Sequence, residues 1–312
     1  MNRICDHAEG MHIIGKWHRR RYLLTRKIGS GAQGTVYMAM DGGKKMAVKL
    51  AKDRASLTAE VNVLKQFTRV TSPPLGPSVY DFDDWISPEG IISFCTMEYL
   101  NGISAADALL RRSFDWTVIF MIQLLRQLGE LHHYGYIFAD LKPENLIVMP
   151  VDHQVRCVDF GGATRIGRSV REYTEFYDRG YWGMGSRKAD VGYDLFACAM
   201  ILIFAAKRGR MSKTAASKQQ LMETVKNQPS LRPYRQALIS ALTGRYAYAE
   251  EMRQALLKSM LLQSSHSQTL SSTSHHMPAP VARPGTGGWG AAWAAALIML
   301  VVYTFAVLVN LL

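Results

Sequence analysis

Two carboxylates, an amide and a lysine fall in an order that suits phosphoryl transfer. Asp140-Leu141-Lys142-Pro143-Glu144-Asn145 precedes a short apolar run, a turn and Asp159-Phe160-Gly161. A phosphoryl group in transfer carries its charge on peripheral oxygens, so a protein mainly has to position metal ions, cations and one proton acceptor around it. In that scheme Asp140 accepts the proton of the attacking hydroxyl, and Asn145 reaches a Mg²⁺ ion. Residues 146–149 and 155–158 read as strands around Pro150-Val151-Asp152-His153-Gln154. That hairpin carries Asp159 back beside Asn145, where its carboxylate holds the metal that bridges the phosphates.

The elements upstream must bring the phosphates to this point. Residues 22–28 alternate as a strand, and Gly29-Ser30-Gly31-Ala32-Gln33-Gly34-Thr35-Val36 follows. G-x-G-x-x-G alone is a weak signal shared with dinucleotide folds, which require a helix directly after the glycines. Here residues 35–39 and 46–50 read instead as strands joined at Asp41-Gly42-Gly43, so the glycines shape a hairpin whose N–H groups approach phosphates. Residues 57–67 form a helix with Leu57, Val61, Leu64 and Phe67 on one face. Further on, Val118, Ile122, Leu125, Leu128 and Leu131 stripe a helix over 116–135 ended by Gly135. Residues 193–206 are apolar on nearly every face but too short to cross the ~30 Å hydrocarbon core, which predicts a buried central helix.

These ordered motifs resemble those of the Hanks-type (eukaryotic-like) serine/threonine protein kinases from about residue 22 to about residue 258. The resemblance implies an α+β, two-lobed fold, with a β-rich N-lobe over about 22–99 and a helical C-lobe over about 100–258. It implies ATP as the phosphate donor with Mg²⁺, or Mn²⁺ in its place, and proteins as acceptors, this chain among them. Asp140, Lys142, Asn145, Asp159, Lys49 and Glu60 match the family's catalytic positions, Asn145 and Asp159 as metal ligands. Lys142, the serine/threonine-type choice, matches the lysine on the γ-phosphate, and Lys49 the lysine on the α/β-phosphates, with Glu60 as its helix partner. Ile28, Gly29, Gly31, Gly34, Val36, Ala47, Met97, Glu98, Leu100 and Ile147 would enclose the nucleotide. Met97 guards the back of the adenine pocket, and the backbone of Glu98 to Leu100 would hydrogen-bond the base. Thr174 would bridge Asp140 and Lys142 beside the substrate, and Asp194 would anchor the catalytic-loop backbone.

Three departures from the family pattern stand out. Phe138-Ala139-Asp140 replaces H-R-D, so the arginine that normally pairs with an activation-loop phosphate is missing, which points to control by another ligand. Phe138 in the histidine position makes the packing behind Phe160 more apolar. Arg179-Gly180-Tyr181 stands where A-P-E belongs, so that motif's ion pair must be replaced. None of these removes a group that transfers phosphate. A pseudokinase scaffold and a small-molecule kinase of the same fold are the alternatives, and Thr174 and Lys142 argue against the second.

The 312 residues, 48% hydrophobic, have room for one such domain plus an appendage. Cys5, Cys95, Cys157 and Cys198 lack C-x-x-C spacing, which suggests a reducing cytoplasm and no structural zinc. Residues 1–21 lack a secretory signal and contain Lys16-Trp17-His18-Arg19-Arg20-Arg21, read as a separate basic segment. Residues 207–258 hold eleven Lys/Arg against three acidic residues, and residues 1–27 seven against two. Residues 259–288 turn to Ser, Thr, Gln, His, Pro and Gly with Arg283 as their one charge, the composition of a flexible linker. His266, His275 and His276 there lack the further ligands a metal needs. Residues 289–312 then run 24 positions without charge, with Trp289, Trp293 and Tyr303 as interface anchors, and read as a transmembrane helix.

A C-terminal anchor with the kinase domain in the cytoplasm resembles the YabT-type kinases of spore-forming bacteria. That resemblance implies a DNA-binding kinase that autophosphorylates and acts in sporulation. Clustered Lys/Arg agree with sequence-independent, salt-sensitive DNA binding. With one arginine in the linker, such binding falls to the folded domain or the N-terminal run, and anionic lipid near the anchor competes for the same cations.

Overall fold

The computed structural model describes residues 5, 8–31, 33–51, 53–68 and 74–272. Residues 1–265 gather as one compact unit. A second comprises 266–312, of which 266–272 are described as the end of a helix.

The N-terminal lobe is a six-stranded antiparallel sheet: β1 (His12–Ile14), β2 (Arg21–Gly31), β3 (Gly34–Asp41) and β4 (Lys44–Ala51), then, after helix α1 (Arg54–Thr68), β5 (Val79–Ser87) and β6 (Gly90–Glu98). Its spatial order is β1-β2-β3-β4-β6-β5. Alternation gives it two apolar sides: Ile13, Tyr22, Leu24, Tyr37, Val48, Leu50 and Phe94 pack together on one, and Ala47, Ala51, Cys95 and Met97 meet Leu57 and Val61 of α1 on the other. The β3–β4 turn pairs Asp41 with Lys44. Its two central residues, Gly42 and Gly43, take φ of 53° and 88°, a left-handed pair that glycine adopts without strain. The predicted stripe on α1 is the buried one, with Leu57, Val61, Leu64 and Phe67 all 2% exposed or less.

Residues 8–21, read from the sequence as a separate basic segment, pack onto this sheet. β1 pairs with β2, and Gly15, just past β1, makes an isolated bridge to Trp85 of β5 at the other edge of the sheet. The cause is a row of buried carboxylates on β5. Asp83 accepts the amides of Trp17 (3.0 Å) and His18 (2.8 Å), Asp81 takes His18 Nδ1 (2.6 Å) and Tyr22 Oη (2.8 Å), and Asp84 takes Trp17 Nε1 (3.0 Å) and Arg54. A Cβ at position 15 would lie 2.2 Å from Asp83 Oδ2, so only glycine lets the chain pass. Burial pushes Asp83 up, but the amides of His18, Trp17 and Asp84 outweigh it and hold the carboxyl below its ordinary range. His18, Asp81 and Asp83 lie within 4.8 Å of one another. Hydrogen bonds already engage their oxygens, so the cluster serves as a clamp on the turn.

The second lobe comprises β7 (Ile103–Ser104), α2 (Ala105–Arg111), α3 (Phe114–His133), β8 (Tyr136–Ile137), β9 (Leu146–Val148), β10 (Val155–Cys157), β11 (Thr164–Arg165), α4 (Val191–Lys207), α5 (Ser217–Asn227), α6 (Arg235–Leu242) and α7 (Ala249–Ser272). Thirteen consecutive residues of α4, Tyr193 to Ala205, are buried, as its all-round apolar sequence predicts. Helix α7 corrects the linker boundary: it continues past 258 to Ser272, so 259–272 are helical. Met252 and Leu256 seat its first turns in the core, and the Ser, Gln and Leu that follow tolerate a helix. Among the described residues no helix is long and apolar enough to cross a membrane; the span at 289–312 lies outside them. All four cysteines are buried thiols outside any disulfide among the described residues, with the Cys95, Cys157 and Cys198 thiols pushed up by burial.

Candidate active site

The catalytic loop is built around one buried carboxylate. Asp194, in the first turn of α4, accepts the amides of Phe138 (2.8 Å) and Ala139 (2.9 Å) and faces His132 Nε2 at 2.9 Å. Two consecutive N–H groups point at one carboxylate because Ala139 takes φ of 70°, a left-handed conformation that costs a non-glycine residue about 1 kcal/mol or more. The next side chain, Asp140, is thereby aimed into the cleft. His132, from the last turn of α3, went unread in the sequence; a histidine there carries no motif.

Asp140 is held from both oxygens. Thr174 Oγ1 donates to Oδ1 at 2.9 Å, and Lys142 Nζ lies 2.5 Å from Oδ2 and 3.1 Å from Thr174 Oγ1. The structure thus brings Asp140, Lys142 and Thr174 together across 34 residues of sequence. Asn145 Nδ2 donates to the Asp140 carbonyl at 2.9 Å, which fixes the amide with its oxygen as the remaining ligand atom.

The β9–β10 hairpin pairs Leu146 with Cys157 and Val148 with Val155, and the Val158 amide closes onto the Asn145 carbonyl at 2.8 Å. Asp159 therefore emerges next to Asn145, as the spacing predicts. It takes φ of 62°, and its side chain is half exposed to the cleft. Phe160 turns inward, edge-on to Phe138 at 5.1 Å, so two rings fill the space that the H-R-D departure makes apolar. Gly162 follows where a Cβ would sit 3.2 Å from Asp140 Cβ.

From the other lobe, Lys49 on β4 places Nζ 2.7 Å from Glu60 Oε2 and 2.8 Å from Asp159 Oδ1. The short 49-to-60 connection does not prevent the pairing. Burial pulls the Lys49 ammonium down, and the Glu60 and Asp159 carboxylates more than reverse that. Burial pushes Glu60 up against the pull of Lys49. Lys49 is thus held in the charged form between two carboxylates.

Above this cluster the glycine-rich hairpin joins Gly29 to Val36 and Gly31 to Gly34. A Cβ on Gly34 would lie 2.2 Å from the Leu50 carbonyl, so the hairpin can lie this close to β4 only with glycine there. Ala47 pairs directly with Met97, and Val36 packs against the cluster they belong to. Ile147 Cγ2 lies 2.5 Å from where a Cβ on Gly102 would be, which sets the floor close to the interlobe strand. Ile28 is 40% exposed at the pocket mouth, and Leu100 is buried. Glu98 is more constrained than the sequence suggests. Its N–H goes to Ser78 O at 2.8 Å, and its carboxylate to buried Arg156 at 2.8 and 3.0 Å. A base must therefore use the other backbone groups of the Glu98–Leu100 segment.

The replacement for the A-P-E ion pair is double. Buried Asp178 accepts Gly180 N (3.0 Å), Tyr181 N (2.9 Å), Arg187 Nε (2.8 Å) and Tyr193 Oη (2.9 Å). Arg179 grips both oxygens of Asp190 at 2.8 and 2.6 Å and the carbonyls of Ser186 and Lys188. Neither pair has a local sequence signal, since each depends on a loop returning over seven to eleven residues.

The donor set suits phosphates and a hard cation. A carboxylate and an amide oxygen converge beside a buried, charged lysine, and Lys142 and Thr174 flank the Asp140 carboxylate. Comparison with known proteins agrees: the protein kinase domain matches residues 22–276. The chain is 44% identical over 255 residues to the serine/threonine-protein kinase YabT of Bacillus subtilis, covering 81% of this chain and 75% of that one. It is 30% identical over 157 residues to the serine/threonine-protein kinase PknA of Mycobacterium tuberculosis, covering 47% and 36%. With human myosin light chain kinase 3 it shares 30% identity over 152 residues, covering 44% and 17%.

Proposed function

The chain belongs to the protein kinase family as an ATP-dependent serine/threonine kinase, and on that premise we propose that Asp140, Lys142, Asn145, Asp159, Lys49 and Glu60 carry the transfer. The observation behind this is the pair of contacts that Lys49 makes, with Glu60 of its own lobe and with Asp159 across the cleft. Lys49, kept charged, binds the α/β-phosphates. Asp159 and Asn145 hold the divalent ion, and Mg²⁺ or Mn²⁺ there neutralises phosphate charge as it develops. Asp140 accepts the proton of a serine or threonine hydroxyl, while Lys142 offsets the growing negative charge beside it. Thr174 keeps the Asp140 carboxylate in one orientation until the acceptor arrives. Label from γ-labelled ATP should appear on serine and threonine of protein and on no small-molecule acceptor; label confined to small molecules would remove the protein-kinase reading of this site.

The activation segment is tied down along its length by backbone contacts. Thr164 pairs with Ile137 and Arg165 with Tyr136, Ser169 bridges Lys188, and the amides of Gly167 and Val170 reach the carbonyls of Ala189 and Arg187 at 2.8 Å. With Ala139 in place of the arginine that pairs with a loop phosphate, this supports a kinase controlled elsewhere.

The uncharged stretch 289–312 supports anchoring in the cell membrane with the kinase domain on the cytoplasmic side. Arg19, Arg20 and Arg21, exposed on the clamped turn beside 62%-exposed Trp17, support sequence-independent DNA binding as the regulator. Resemblance to the YabT type supports autophosphorylation and sporulation as the setting. The full chain in vesicles should float, and deletion of 289–312 should abolish flotation. DNA should stimulate transfer at low salt and lose that effect as salt rises; stimulation by anionic vesicles alone would reassign these cations to lipid.

A further inference from the structure

The acceptor side of the cleft carries a charge pattern that the transfer chemistry does not use. Thr174, which touches Asp140, opens the 3₁₀ turn Glu175–Tyr177, and the chain continues through Tyr181 and Gly183. Three cations from the stretch between α4 and the start of α5 lie along this segment. Arg210 sits over the Tyr177 ring, 5.5 Å from its centroid, and pairs with Glu144 at 2.6 Å. Lys213 donates to the Tyr181 carbonyl at 2.5 Å and lies 4.5 Å over the Tyr181 ring. Lys218 brings Cε to within 3.5 Å of where a Cβ on Gly183 would be. All three side chains are solvent-exposed.

Glu144 lies two residues past Lys142, within the catalytic loop, and would otherwise place a negative charge beside the acceptor. Arg210 cancels it, as Asp140 does Lys142, leaving Lys213 and Lys218 in excess. On the same segment Asp178 is buried and already bound by Arg187, so it contributes little field outward. Exposed Glu172 and Glu175 are the opposing charges. Glu172 is engaged by Gln33 of the glycine-rich hairpin.

We propose that Arg210, Lys213 and Lys218 form the acceptor-recognition surface of this kinase, and that it selects serine or threonine in acidic peptide segments. An extended peptide advances about 3.3 Å per residue, so carboxylates within about three positions of the acceptor can reach this rim. Rings under Arg210 and Lys213 fix the cations in place and lower the entropy lost when a carboxylate is bound. Such exposed pairs are individually weak and salt-dependent, so selection comes from several acting together.

This inference rests on the phosphotransfer reading of the site, and its test separates the two. The full chain in detergent would be given three peptides sharing one central serine, flanked by aspartate, alanine or lysine. At low ionic strength kcat/KM for the aspartate peptide should exceed that for the lysine peptide by about tenfold or more, narrowing as salt rises. The triple variant Arg210→Glu, Lys213→Glu, Lys218→Glu should abolish or invert that order while KM for ATP stays unchanged. Equal use of the three peptides, or an unchanged order in the triple variant, would overturn the proposal. Loss of all incorporation, autophosphorylation included, in the unmutated chain would instead refute the catalytic reading on which it rests. Should the triple variant fold poorly, Lys213→Ala alone must still lower the aspartate-to-lysine ratio about two- to threefold.

Discussion

Replacing Asp178 by asparagine tests whether the pairs in place of A-P-E hold the substrate-binding segment. The carboxylate accepts four donors: Gly180 N and Tyr193 Oη on one oxygen, Tyr181 N and Arg187 on the other. An amide of the same size has one acceptor oxygen. Its best placement keeps that oxygen toward Tyr181 and Arg187 and turns the NH₂ toward Tyr193, whose hydroxyl can rotate to accept. Gly180 N–H then loses its partner, at about 1–3 kcal/mol, and the Arg187 bond falls from charge-assisted to ordinary strength, at about 1 kcal/mol more. A loss of about 3 kcal/mol lowers Tm by roughly 6–12 °C for a domain of this size. Arg187→Ala should cost less, about 1–2 kcal/mol, because its side chain is 41% exposed and water can replace it in part. Thr174 lies four residues upstream, so KM for a peptide should rise several-fold in Asp178→Asn. KM for ATP should hold, since Lys49 and Asp159 are untouched. Scanning calorimetry with two-substrate kinetics would decide it; a Tm within about 1 °C of the parent and an unchanged peptide KM would refute the reasoning.

Other consequences are open to similar tests. In a double-mutant cycle on nucleotide binding, Glu60→Gln should weaken ATP binding several-fold alone but hardly at all once Lys49 is Met, because its effect runs through Lys49; additive effects would contradict the pairing. Asp83 and Asp84 are both held below their ordinary range, so the folded state binds fewer protons. Their stabilisation is complete above the unfolded value near 3.9 and is lost as pH falls through the lower folded values. Urea unfolding should therefore weaken below about pH 4, and Asp83→Asn should flatten that dependence; an unaltered acid profile would argue against the clamp. Asp194→Ala strands the amides of Phe138 and Ala139 at about 1–3 kcal/mol each, and should lower kcat at least 10²-fold with KM for ATP little changed; near-normal kcat would remove Asp194 from the positioning role.

What the sequence made legible was local. D-L-K-P-E-N and D-F-G are joined by a short hairpin whose register follows from strand length alone, so the meeting of Asn145 and Asp159 could be read from spacing. Leu57, Val61, Leu64 and Phe67 announced their helix by period, and Gly42-Gly43 their turn. Partners chosen in three dimensions were not legible. Asp83 looks like one acidic residue among several until β5 lies beside the Trp17 turn, and His132 has no meaning until α4 brings Asp194 to it. The boundary at 258 failed for another reason: composition shifts there, but Ser and Gln are compatible with a helix already nucleated by Met252 and Leu256. The Glu98–Leu100 segment was expected to offer its backbone to the base, and only the fold reveals that one of its groups, the Glu98 N–H, already goes to Ser78.

The central claim is that Asp140 accepts the hydroxyl proton in a site already assembled by Lys49, Glu60 and Asp159. Its most direct test is single-turnover phosphate transfer from Mg-ATP by the full chain in detergent, set against Asp140→Asn, with nucleotide binding measured on both proteins. The account predicts unchanged nucleotide affinity and transfer slowed by about 10²-fold or more in the variant. Transfer at the parent rate with asparagine at position 140 would contradict it.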